Sequence, residues 1–177
     1  MKSMKVRKLT TIALLSAVYV VLSILTPIKI QNFKFTFEAF PVLVAGLLFG
    51  PLDGCLVGAL GSFIYQLFFS GYGITPTTPL WVLPHAFSGL LVGYYALKNN
   101  FDLDFRKIVF ISIVSAFCVT ALNILALYVD SKLYGYYSPT LVFGNIIFKV
   151  IVGIILAFLY ASILPKLLSY LKKQINQ

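Results

Sequence analysis

Lys149 stands inside the apolar run IIFKVIVGII, and Asn145 lies one helical turn before it on the same face. Asn123 and Gln66 occupy two further apolar stretches, and His85 follows Trp81 by one turn. An ammonium, three amides, an imidazole and an indole can bind and orient a solute. In a membrane an interior charge costs at least ~2.5 kcal/mol, so Lys149 is expected near the middle of its span with a ligand or counter-ion role. Each amide either touches the same ligand or hydrogen-bonds between helices. His85 is equally a ligand contact or a satisfied helix histidine. The sequence has no phosphate-binding glycine loop with its lysine, no metal cluster, no paired carboxylates within the apolar runs, and no nucleophile beside a base. The expectation is a chain that is not an enzyme, needs no cofactor or metal, and binds a solute without powering its movement.

The elements that must position these groups follow from composition. The chain has 177 residues, 60% of them hydrophobic and only 11% charged, where a soluble domain carries about 25%. This predicts an all-α integral membrane protein forming a single domain over 1–177. The net charge of +9 does not point to nucleic acid in such a chain, and its distribution matters more than its size. Cys55 and Cys118 have neither metal-ligand nor redox spacing and read as small buried hydrophobes. The basic start MKSMKVRK before an apolar run resembles a signal peptide, but no small-residue cleavage site follows, so it reads as a retained first helix.

A spanning helix needs about 20 apolar residues. Candidates cover about 9–25, 39–49, 52–69, 80–97, 108–129 and 141–164. The second and third come from one run, too long for a single helix, broken at Phe49-Gly50-Pro51 because proline cannot continue the hydrogen-bond ladder. Asp53, just after that break, reads as a helix cap. Six spans place ten of the fourteen basic residues on the side of both termini, which the positive-inside rule assigns to the cytoplasm.

The outer loops are then 26–38, 71–78 and 130–138, and all three are aromatic. In the first, Phe33, Phe35 and Phe37 alternate with Lys34, Thr36 and Glu38, an extended segment with one aromatic face. It is either an amphipathic strand at headgroup level or a lid. In the second, Tyr72 and two glycines precede Thr75-Pro76-Thr77-Thr78-Pro79. Irregular backbone of this kind must pack against protein or line a wet cavity. Pro79 suits the first turn of a helix capped by Thr77 or Thr78, and Pro84 should loosen that helix beside His85. The third loop adds Tyr134, Tyr136 and Tyr137. Such side chains suit an outward-facing pocket for a planar ligand. Candidate contacts are Phe33, Lys34, Phe35, Gln66, Tyr72, Thr75, Thr78, Trp81, His85, Asn123, Tyr136, Asn145 and Lys149.

Small residues recur at Gly46, Gly50, Gly54 and Gly58, at Gly89 and Gly93, and at Ala13 and Ala17 in "TTIALLSAVYVVLS". The last pair either packs within the bundle or receives a partner's helix. The basic start with Ala13-x-x-x-Ala17, "FEAFPVLVAGLLFGPLDGCLVGALGSFIYQL" and "SGYGITPTTPLWVLPHAFSGLLVGYY" resemble the substrate-binding S components of energy-coupling factor (ECF) transporters, bacterial vitamin-uptake ABC systems. The resemblance covers nearly the whole chain. It implies a multi-pass protein of the bacterial cell membrane, a pocket near the outer face closed by the first two outer loops, and docking through Ala13 and Ala17. The implied partners are a transmembrane T component and two cytoplasmic ATPases. Folate ranks first as substrate, although 72–79 departs from the pattern of folate binders. Riboflavin, pantothenate, cobalamin and a queuosine precursor are the other candidates. A six-span structural scaffold is the rival, and it leaves Lys149 and the proline-rich, aromatic loops without a role.

Overall fold

Residues 2–26, 28–30, 33–35, 37–71, 73–144 and 146–175 are described by a computed structural model. Helix α1 (Lys2–Leu25) is a long apolar run free of proline and glycine that stops just before Pro27. Strands β1 (Ile28–Ile30) and β2 (Phe33–Phe35) follow and pair antiparallel, Ile28 with Phe35, Lys29 with Lys34 and Ile30 with Phe33. The fold is all-α apart from this short hairpin, and the period-two segment supplies one of its two strands. Its two ends are tied together by Phe37 N–H, which donates to Thr26 Oγ1 at 3.2 Å.

The remaining elements are α2 (Ala39–Phe49), α3 (Pro51–Phe68), α4 (Thr78–Lys98), α5 (Phe105–Leu133), the single turn and a half of α6 (Pro139–Phe143), and α7 (Ile146–Ile175). Among the described residues, five segments are long and apolar enough to cross a membrane, with α2 a shorter apolar helix beside them. The break between α2 and α3 falls at Gly50, whose φ of 100° is open to glycine, and Pro51 opens α3. Such a corner needs both residues in that order. The apolar segment expected at 141–164 falls within one longer apolar stretch, Pro139–Leu171, which takes in α6 and most of α7.

Helix α2 is the axis of the bundle: Pro41 to Leu47 are all buried. Leu43, Val44 and Leu47 pack with Val92, Ile108, Ile111 and Leu164, joining α2 to α4, α5 and α7. Val42 and Ala45 join Tyr19 and Val57 on the opposite side. Helices α3 and α4 meet backbone to backbone. A Cβ added at Gly89 would lie 2.1 Å from Gly54 O, and one at Gly58 would lie 2.2 Å from His85 O. The glycine repeat is thus a packing seam that fixes the height of His85 against α3.

Three local expectations are corrected. Among the described residues Asp53 makes no capping bond: its carboxylate pairs with Lys8 Nζ at 2.7 Å, tying the start of α1 to the first turn of α3. Thr77 holds the cap position of α4 but makes no capping bond, because its hydroxyl donates to Asp130 Oδ1 at 2.5 Å. Cys55 and Cys118 are half-buried rather than buried. Pro84 sits within α4, which continues unbroken past it.

Candidate functional site

The short helix α2 runs through the core, and Glu38, Ala39 and Leu43 at its start line a cavity. This cavity, of about 430 Å³, opens among α1, α3, α4, α5 and α7. Two helices supply its long walls. From α5 come Ser112, Ser115, Ala116, Val119, Thr120 and Asn123, and from α7 come Lys149, Val152, Gly153, Leu156, Ala157 and Tyr160. Both sets follow i, i+3, i+4, i+7 spacing, one face of each helix. Leu127 extends the α5 wall, so at about 1.5 Å rise per residue the lining runs about 22 Å along α5 and about 16 Å along α7. The cavity is a slot, with Lys149 at one end and Tyr160 at the other.

The slot is polar in places. Glu38, at the entry to α2, is an anchor: Ser23 Oγ donates to its Oε2 at 2.7 Å, and His85 Nε2 lies 3.3 Å from its Oε1. One carboxylate therefore links α1, α2 and α4. The His85 ring meets the Tyr19 ring edge-on, with centroids 5.2 Å apart. Below them Ser88 and Ser115 share a hydrogen bond of 2.6 Å between α4 and α5. Phe37 and Phe40 pack on the Tyr160 ring.

Three residues that line the cavity each carry a buried polar atom without a hydrogen-bond partner among the described residues: His85 Nδ1, Ser112 Oγ and Tyr160 OH. These residues are only 6%, 2% and 5% exposed. Leaving a buried polar group unpaired costs about 1–3 kcal/mol. Three together cost about 3–9 kcal/mol, against a net stability of about 5–15 kcal/mol for a typical domain.

Of the residues singled out by sequence, Gln66, Trp81, His85, Asn123 and Lys149 all line this cavity. Lys149 does so from α7, within the apolar stretch Pro139–Leu171. Thr75 and Thr78 do not line it. Thr75 N–H donates to Thr78 Oγ1 at 2.8 Å, and the Thr75 hydroxyl lies 3.0 Å from that of Thr77 and 3.2 Å from that of Thr78 at the start of α4. Tyr136 does not line it either; its hydroxyl donates to Asp130 Oδ2. Asp130 thereby ties the segment before α4 to the one after α5, beside Lys132, whose Nζ stands 3.9 Å over the Tyr137 ring. Phe33, Lys34 and Phe35 belong to β2, and their side chains lie outside the described residues, as do Tyr72 and Asn145. Ala13 and Ala17 are exposed on α1, away from the cavity.

Sequence reasoning missed Glu38 as a cavity residue, together with Tyr19, Ser62, Tyr65, Ser112, Ser115, Thr120 and Tyr160. A signal existed for α5, where Ser112, Ser115, Thr120 and Asn123 mark one stripe of an apolar helix. Nothing local distinguishes Tyr19 or Tyr160 from other tyrosines at this depth.

The sequence model for the substrate-specific component of ECF transporters matches residues 7–165, and the chain belongs to that family. Solved structures share the fold. The S component for biotin from an ECF-type ABC transporter superposes with a TM-score of 0.71 at 19% identity, covering 94% of this chain and 93% of that one. FolT bound with folic acid gives 0.69 at 19% identity, covering 87% and 89%. The S component of a bacterial ECF transporter gives 0.69 at 24% identity, covering 95% and 99%.

Proposed function

We propose that this chain is the substrate-capture subunit of an ECF-type importer and that the slot holds a planar, anionic vitamin, folate ranking first. The observation that carries this reading is the trio of unpartnered buried polar atoms on the slot's walls. A ligand that pairs with them repays a cost that a purely structural protein would remove by filling the space. Lys149 suits a carboxylate or phosphate of the ligand, and Trp81 suits stacking on its ring. Gln66 and Asn123 supply further contacts. Folate ranks first from the resemblance read in the sequence, and riboflavin, pantothenate, cobalamin and a queuosine precursor are the alternatives. Phe33, Lys34, Phe35 and Tyr72 belong to the segments that would close the mouth.

In this reading the protein crosses the bacterial plasma membrane six times with both termini in the cytoplasm. The exposed Ala13 and Ala17 dock on a transmembrane T component, and two cytoplasmic ATPases supply the energy. The test is to purify the protein from cells grown in rich medium, denature it, and identify the released small molecules by mass spectrometry. A vitamin at one per chain is the expected result. An empty protein that no vitamin stabilises thermally would favour a structural scaffold.

A further inference from the structure

Among the slot's three unpartnered atoms, two adapt and one does not. The hydroxyls of Ser112 and Tyr160 rotate and either donate or accept. An imidazole nitrogen has one character per tautomer, and here the tautomer is set from outside the ring. Glu38 is acceptor-only when ionised, and its Oε1 faces His85 Nε2 at 3.3 Å. Ser23 on α1 holds the other carboxylate oxygen at 2.7 Å, so the acid cannot swing away freely. An imidazole that is neutral and faces an ionised Glu38 carries its proton on Nε2, and its Nδ1 keeps a lone pair. The ring is also held in place. Tyr19 meets it edge-on, and Tyr19 in turn lies against Gly61, where an added Cβ would come within 2.5 Å of the tyrosine ring.

We infer that Glu38 sets what the slot accepts by fixing the tautomer of His85, so that the ligand's inner end must bring an N–H or O–H donor to His85 Nδ1. The inference rests on the reading of the slot as the ligand site and narrows it. The fitting class is a heterocycle with a lactam or amino N–H at its buried end. A ring that offers only acceptors there leaves two lone pairs facing each other in a dry pocket. Glu38 is a positioning residue that acts through His85.

His85 is the chain's single histidine, so labelling histidine with ¹⁵N isolates its ring in an NMR spectrum of the full chain in detergent micelles. The expected spectrum of the ligand-free protein shows Nε2 protonated and Nδ1 bare. A proton on Nδ1 would overturn the inference before any ligand is added. The affinity arm uses folic acid and riboflavin, each beside its derivative methylated on the ring lactam nitrogen. Methylation is expected to weaken binding about 10- to 100-fold. In Glu38→Gln the side-chain amide can donate to Nε2 and move the ring proton to Nδ1. There, binding of the N–H probe is expected to fall and the gap between the paired probes to close. Equal affinity of paired probes for the unmutated protein would overturn the inference and leave the proposed function standing. Failure of every vitamin to bind the unmutated protein would remove both. If Glu38→Gln does not fold, the spectrum and the paired probes decide without it.

Discussion

Tyr160 illustrates how one residue separates a binding role from a structural one. Its ring is packed by Phe37 and Phe40, but its hydroxyl is buried without a partner among the described residues. Tyr160→Phe keeps the packing and removes the orphaned hydroxyl. The ligand-free protein should then melt about 2–4 °C higher, from about 1 kcal/mol of relieved desolvation. Affinity for the vitamin should fall at the same time. Thermal melts with and without ligand check both signs, and a lower melt without ligand would show that the hydroxyl is satisfied in the empty protein. At this scale the sequence was partly legible. Gln66, Trp81, His85, Asn123 and Lys149 stood out because polar groups are rare in apolar runs, and all five line the slot. Glu38 did not, because in the alternating segment FKFTFE it reads as one more polar position. Its partner His85 lies 47 residues away, a pairing that only the fold reveals. Thr75, Thr78 and Tyr136 stood out equally, yet their hydroxyls bond within the segments that carry them.

Among the elements, the α3–α4 seam carries the most stringent constraint. Gly89 has no room for a side chain, since a Cβ there would lie 2.1 Å from a backbone oxygen that cannot yield. Gly89→Ala should therefore force the two helices apart, at a cost at the upper end of the 1–3 kcal/mol typical of overpacking or beyond it. It should also displace His85 from Glu38. A melt lowered by several degrees and a weakened ligand affinity are the expected outcomes, and unchanged values of both would contradict the seam. The glycine repeat and the Gly50-Pro51 corner were legible because each has a direct backbone cause. The hairpin was half legible: alternation showed that 33–37 is extended, but Ile28–Ile30 is too short to announce itself as the partner strand.

For the whole molecule, the account divides the surface by task. One end of the bundle carries the slot, and the exposed small-residue stripe at Ala13 and Ala17 lies on the lateral face of α1. Replacing both alanines with leucine should leave vitamin affinity unchanged and abolish assembly with the T component and its ATPases. Co-purification of the assembled complex, read beside a binding titration, checks this. Loss of both properties would mean that the stripe serves the fold instead.

The most direct test uses Trp81, the chain's single tryptophan, which lines the slot. Titrating the purified protein with the vitamin identified by mass spectrometry, while following tryptophan emission, reports the slot and nothing else in the chain. The account predicts emission that changes and saturates at one ligand per chain, with Lys149→Met shifting the curve to about 10-fold or more higher concentration, as loss of a charge-assisted bond requires. Calorimetric binding of that vitamin with emission unmoved would place the ligand elsewhere and contradict the account.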